Sequence, residues 1–247
     1  MKKHSIKEVV NLLTLTKLMI ERIKTNIIRS YYSKAEGFPR YLKEANKIGM
    51  DVNDWIEQKL GWPEALPILK KVAFPYYRDD SIVCELGVGT GRWARHILTK
   101  LANGYLYLVD HSPWIVNFLR EYFQSNSKVS VYLNDGHSLP FPNDSWIDFV
   151  FSDGTFIELN LSFFYLYAQE FFRVLKPSGY CVFDYIDITT PEGWKFFKTQ
   201  SKQACNRFTY HTPEAVDKVF SGAGLKIIKR HQIGKSMYLV VRKPPLY

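Results

Sequence analysis

The stretch at residues 81–98, SIVCELGVGTGRWARHIL, constrains this chain more than any other. An apolar run stops on an acid, Glu85, and three alternating glycines follow, Gly87, Gly89 and Gly91, before a helical pattern begins. A strand that turns this sharply into a helix exposes the helix's unpaired N–H groups, and glycines let a ligand reach the backbone with no side chain between. From residue 81 onward strand-like and helix-like runs alternate, the pattern of a parallel sheet with helices on both faces. Strands are expected at 81–86, 105–110, 129–133, 147–152, 179–184, 225–231 and 237–242, and helices near 91–101, 113–124, 160–175 and 213–222. The connection between the last two strands is so short that it predicts an antiparallel seventh strand. The expected fold is therefore α/β: a seven-stranded, mostly parallel sheet with an antiparallel last strand.

Residues 1–75 read as a helical extension ahead of this sheet. Ile6, Val9, Leu13, Ile20, Ile23 and Ile27 recur at helical spacing and predict a basic amphipathic helix over residues 5–29. Asn53 or Asp54 is placed to cap WIEQKL, Gly61 to end it, and EALPILKKV predicts a further short helix before Pro75. The formal net charge of +9 is concentrated here: residues 1–34 hold eight Lys and Arg against two acids, leaving only three net positive charges to the other 213 residues. The arm suits a lid over a cleft, with Tyr31 and Tyr32 behind it, or peripheral contact with an anionic membrane surface. Nucleic acid is a weaker expectation, since the rest of the chain is nearly neutral and carries no recognisable RNA-binding module. Cys84, Cys181 and Cys205 are odd in number, have no zinc-like spacing and read as reduced cysteines of a cytoplasmic protein; no metal site is expected.

Two ligand classes use such a glycine turn, dinucleotides and S-adenosylmethionine. The dinucleotide form, G-x-G-x-x-G, would need a third glycine at position 92, which is Arg. Acids follow at regular intervals. The second strand ends on Asp110, where a carboxylate can accept both hydroxyls of a ribose, unless it only caps the next helix, a task for which Ser112 is better placed. After the third strand comes NDGHSLPF, with Asp135, Gly136 and His137 placed beside an adenine, although Asp135 also reads as an ordinary turn acid. The fourth strand delivers Ser152 and Asp153 to the same edge, and RVLKPSGYCVF supplies helix, turn and fifth strand. In this order of motifs, over residues 75–247, the sequence resembles the class I S-adenosylmethionine-dependent methyltransferases, in particular their broad type-11-like, small-molecule group. The resemblance implies a Rossmann-like domain over residues 76–247 with S-adenosylmethionine as cofactor. It assigns residues 85–91, with Glu85 and the three glycines, to the methionine part, Asp110 to the ribose, and Asp135 with Gly136 to the adenine. His111, His137 and Ser152 fall beside them.

The acceptor is not written in any motif. The fourth strand is followed by SDGTF rather than the N/D-P-P-Y turn found in enzymes that methylate exocyclic amines of nucleic acid. Residues 185–212 interrupt the alternation at the carboxyl end of the fifth strand, where open α/β sheets place substrates. They read as a substrate lid with Thr190 capping a helix opened by Pro191, an aromatic face of Trp194 and Phe197, and a rim of Lys195, Lys198, Lys202 and Arg207. Tyr185 stands at its entrance. The expected reaction is methyl transfer to oxygen of a small molecule or glycan, the alternatives being methylation of RNA held by the basic arm and cofactor binding without catalysis. His211 is the first candidate for the base such a hydroxyl needs, fixed before a helix capped by Thr212, and Asp153 is the second.

Overall fold

The computed structural model describes residues 37–141, 143–202 and 207–245. The expected helix at 5–29, the lid or membrane role of the arm, Tyr31, Tyr32 and Cys205 lie outside the described residues. Three helices precede the sheet: α1 (Gly37–Lys47), α2 (Val52–Lys59) and α3 (Ala65–Val72). The cap of α2 is Asp51 rather than Asn53 or Asp54, its carboxylate accepting from both of their backbone amides at 2.8 and 3.2 Å. Then follow β1 (Ile82–Leu86), α4 (Ala94–Lys100), β2 (Tyr105–Asp110), α5 (Pro113–Tyr122), β3 (Val129–Leu133), β4 (Ile147–Ser152), α6 (Leu161–Val174), β5 (Leu175–Tyr185), α7 (Pro191–Lys202), α8 (Pro213–Gly222), β6 (Lys226–Ile233) and β7 (Ser236–Arg242). The capping expectations hold: Ser112, Thr190 and Thr212 accept from first-turn amides of α5, α7 and α8.

The sheet has seven strands in the order β3-β2-β1-β4-β5-β7-β6. The first five are parallel, and β7 runs antiparallel to both β5 and β6. Its alternating side chains feed two apolar layers. Cys84, Val150, Cys181, Phe183 and Leu239 pack with Phe164, Phe171 and Phe220 of α6 and α8. Val83, Leu108, Phe149 and Val182 pack with Leu69, Trp93, Ile97 and Leu119, which come from α3, the start of α4, and α5. The strand order reverses at β1, so β1 and β4 diverge to their helices on opposite sides and leave a crevice at their carboxyl ends. That crevice is where the chemistry-bearing residues collect.

The preface is joined to this scaffold by polar bonds as well as apolar contact. Asn53 donates to the Thr90 carbonyl at 3.0 Å and accepts from its hydroxyl at 2.6 Å, a closed and buried pair at the centre of the glycine turn. Arg95 on α4 reaches Asp51, Asp54 and Glu57. Among the described residues no helix is long and apolar enough to cross a membrane.

Candidate functional site

At the end of β1 the backbone turns through positive φ at Gly87, Gly89 and Gly91, as the glycine spacing predicts. Gly87 allows a close approach: a Cβ there would stand 1.8 Å from Thr155 Oγ1. At Gly89, with φ +57°, the Phe38 ring of α1 lies 3.2 Å from where a Cβ would be, so α1 covers the turn. Asp110 is 5 % exposed, and its carboxylate accepts from the Gly89 amide at 3.3 Å and the Ser112 amide at 2.9 Å. Burial raises its pKa, opposed by His111 and by these amides. Asp110 thus holds the glycine turn from behind. It does not cap α5, whose first-turn amide is met by the Ser112 hydroxyl.

Glu85 is 1 % exposed, and its Oε2 is buried with no hydrogen-bond partner. Burial pushes its pKa well up, with Asp153 and Asp110 adding to the effect and Arg92 opposing it. A buried carboxylate oxygen without a partner is costly unless a ligand supplies one. Ser152 is fully buried and donates to the Leu86 carbonyl at 2.8 Å, tying the tips of β1 and β4 together. His111 Nδ1 stands 3.7 Å from Asp110.

Asp135 organises its own loop. Its carboxylate accepts from the amides of His137 and Ser138 and from the Ser138 hydroxyl at 2.8–3.0 Å, with His137 Nε2 at 3.2 Å. Partial burial raises its pKa, but these bonds outweigh that and hold the carboxyl below its usual range. Gly136 takes φ +90°, completing the turn, and His137 is exposed. Asp135 is thus the turn acid of its loop, which lies at the carboxyl edge after β3.

On the other side of β1 the arrangement is one of side chains. Asp153, just past β4, accepts a hydrogen bond from the Tyr238 hydroxyl of β7, and Arg92 lies 3.8 Å away. Burial raises its pKa, with Arg92, Tyr238 and Lys235 opposing. Arg92 is itself 7 % exposed, donates to the Pro63 carbonyl at 2.8 Å, stands 3.5 Å from Glu57 and lies over the Trp93 ring. It therefore links the preface to the acid of the cleft. Asn53, Arg92, Asp184 and Tyr238 were not among the expected site residues. For Asp184 a signal exists: YCVFD is an apolar strand ending on an acid, the pattern that singled out Glu85 and Asp110.

Two expected residues turn away from the crevice. Tyr185 is fully buried in the layer beneath α6 and α8, so the side chain expected to bind substrate belongs to the core. His211, 8 % exposed, packs on the Phe164 ring with centroids 4.7 Å apart. Its Nε2 lies 3.1 Å from the Leu159 carbonyl and from the Thr209 hydroxyl, and its backbone bridges to the chain after β5. Burial lowers its pKa. The ring nitrogen that was to take a proton is instead engaged in fastening the return of the 185–212 segment. Trp194 and Phe197 do share a face of α7: the rings stack at 5.2 Å with Trp194 47 % exposed, Tyr210 meets Phe197 edge-on, and Lys198 stands 5.9 Å from the Trp194 ring.

Residues 83–179 match a protein-family model described as a methyltransferase domain. Residues 83–179 thus resemble a methyltransferase domain. The chain is similar in fold to a chain from a structure described as the complex between the Haloferax volcanii Trm112 methyltransferase activator and the putative methyltransferase, at 18 % identity over 78 % of this chain and 93 % of that one, with a TM-score of 0.63. It is likewise similar to an S-adenosylmethionine-dependent methyltransferase from Aquifex aeolicus (22 % identity, 75 % and 96 % covered, TM-score 0.54). An O-methyltransferase family protein from Burkholderia thailandensis shares the fold at 15 % identity, 79 % and 59 % covered, TM-score 0.61. No curated protein sequence matches the chain. The unpartnered Glu85 oxygen fits a cofactor, since it leaves a carboxyl oxygen open to a ligand, whereas the amides of Gly87, Gly89 and Gly91 are engaged by the Val109 carbonyl, Asp110 and the Val88 carbonyl. Among the described residues no cluster of three His, Cys, Asp or Glu side chains is arranged to hold a metal ion.

Proposed function

We propose that the chain is an S-adenosylmethionine-dependent methyltransferase that transfers a methyl group to a hydroxyl of a small-molecule or glycan acceptor, with Asp153 as general base. The observation that carries this reading is Asp153 itself, a largely buried carboxylate just past the carboxyl end of β4 whose pKa burial raises, which makes it a stronger base than an exposed carboxylate. S-adenosylmethionine supplies a methyl group already activated on a sulfonium. Glu85, the glycine turn, Asp110 and the loop of Asp135 and Gly136 are the residues that would hold it, with His111, His137 and Ser152 alongside. The chain's remaining tasks are to align the acceptor oxygen, exclude water and accept the hydroxyl proton as that oxygen bonds to the methyl carbon. Asp153 accepts that proton, and Tyr238 and Arg92 keep its carboxylate oriented. His211 positions the lid from within the core.

In this reading residues 185–212 form a lid over the acceptor, and the Trp194–Phe197 face of α7, with Lys198 beside it, stacks on a ring or sugar carrying negative charge. The test is conversion of S-adenosylmethionine to S-adenosylhomocysteine against phenols, sugars, carboxylates, amines and RNA. Turnover with a hydroxyl compound is the expected result. Turnover confined to RNA, with affinity falling steeply as salt rises, would replace it with an RNA methyltransferase.

A further inference from the structure

The two faces of β6 differ in how their charges are met. Arg230, turned with Leu239 toward the layer under α8, pairs with Asp217 of that helix. On the opposite face Lys226 stands directly across from Arg242 of β7, Lys229 across from Val240 and His231 across from Tyr238. Lys226 and Lys229 are exposed, and so is Lys71 on α3, which adds a further positive charge beside His231. Among the described residues no carboxylate lies within 4.0 Å of Lys71, Lys226, Lys229, Lys235 or Arg242. Like charges directly opposite on neighbouring strands are destabilising, so the Lys226–Arg242 pair is a strain on the sheet that no described carboxylate relieves.

These cations form a line. From Lys226 it climbs β6 for about 16 Å, at roughly 3.3 Å per residue, to His231, whose cross-strand neighbour Tyr238 bonds Asp153. Lys235 in the hairpin continues it to the Phe196 ring of α7 at 5.4 Å. We infer that this line is a docking track for an acidic glycan, a sugar chain with repeated anionic groups, which brings one of its hydroxyls to the crevice. The inference deepens the reading of a hydroxyl acceptor and rests on it. Charge complementarity gives the sign of the occupant, and the end of the line beside Asp153 gives its direction. The N-terminal arm, itself net positive, has the wrong sign to fill the track. A single nucleic-acid strand fits less well, because such strands are held on open aromatic faces. Tyr180, the ring in line with Arg242, is covered by that guanidinium at 5.2 Å and by Tyr76 at 5.1 Å.

The test is calorimetric titration of hexagalacturonate, a chain of uronic acids, into the full chain, a binding measurement that involves no turnover. The wild type is expected to bind it with an affinity that falls as salt rises, and to ignore its neutral methyl ester. Lys226→Glu combined with Lys229→Glu should weaken binding about tenfold or more and leave S-adenosylmethionine affinity unchanged. Because Lys226→Glu sets a carboxylate opposite Arg242, the double variant should melt no lower than the wild type, which separates lost binding from lost fold. Equal binding in the double variant would overturn the inference. So would a preference for oligouridylate or for phosphatidylglycerol vesicles that the double variant abolishes. Turnover of neutral hydroxyl compounds with no binding of the acidic chain would overturn the track and leave the proposed function standing. If the double variant loses glycan binding while Asp153→Asn keeps wild-type turnover, the track stands and the base assignment fails.

Discussion

At the carboxyl ends of β1 and β2 the site is made of backbone: glycines at positive φ, amides gathered on Asp110, and one open carboxylate oxygen on Glu85. At the ends of β4, β5 and β7 it is made of side chains that meet from distant parts of the chain, Asp153 with Tyr238, Asp184 with Ser236, and Arg92 with Pro63. A backbone site demands particular residue types at short spacing, because few residues take those conformations. A side-chain cluster demands only that the strands arrive beside one another. In the proposed function the first half holds the cofactor and the second acts on the acceptor.

The comparison breaks most visibly at Gly89. Gly89→Val puts a branched side chain at φ +57° against Phe38, and should abolish measurable cofactor binding by calorimetry while the far-UV spectrum keeps its folded shape. Binding retained within a few-fold would mean that the turn is structural only. Next in size is Asp153→Asn, which should lower turnover roughly 100-fold or more, the usual range for loss of a general base. Loss of substrate affinity alone would make Asp153 an orienting group.

The legibility of the two halves follows the same division. The strand series and sheet, the antiparallel last strand, the glycine turn and Asp110 could all be read from periodicity and from acids at strand ends. Asp184 carried that same signal in YCVFD, but it stood next to a segment already read as a lid. The ring of His211 is not legible in the sequence, because its place before a capped helix fixes its backbone but not its ring, and Phe164 and the Leu159 carbonyl draw the ring into the core. Tyr185 followed from the two-residue period of β5, which sends it to the same layer as Phe183. Arg92 and Asn53 are hidden because their partners lie 29 and 37 residues away, Pro63 in the preface for Arg92 and Thr90 in the glycine turn for Asn53.

The preface sharpens the comparison at smaller scale. Asn53→Ala leaves the buried Thr90 groups unpaired beneath the glycine turn, and should cost about 2 kcal/mol of stability in urea unfolding together with a several-fold loss of cofactor affinity. Stability lost with affinity intact would show that the preface does not shape the turn. The smallest effect concerns pH. Asp184 ionises near pH 4 in an unfolded chain and near 7 in the folded protein, so the folded state keeps a proton that the unfolded state has lost, and stability falls as pH rises through this window. Asp184→Asn removes that dependence, so its melting temperature relative to wild type should rise by a few degrees from pH 5 to pH 8. A difference that is constant with pH would place Asp184 among ordinary carboxylates.

The division of labour between the two halves is tested most directly by calorimetric titration of S-adenosylmethionine into Asp110→Ala and Asp153→Asn side by side. Removing Asp110 takes away charge-assisted contacts and the support of the Gly89 amide, and should weaken binding by tens-fold, about 2 kcal/mol. Asp153→Asn should bind within about threefold of the wild type, as expected for a group that acts on the acceptor proton rather than on the cofactor. Equal losses in the two variants, or a larger loss in Asp153→Asn, would contradict the account.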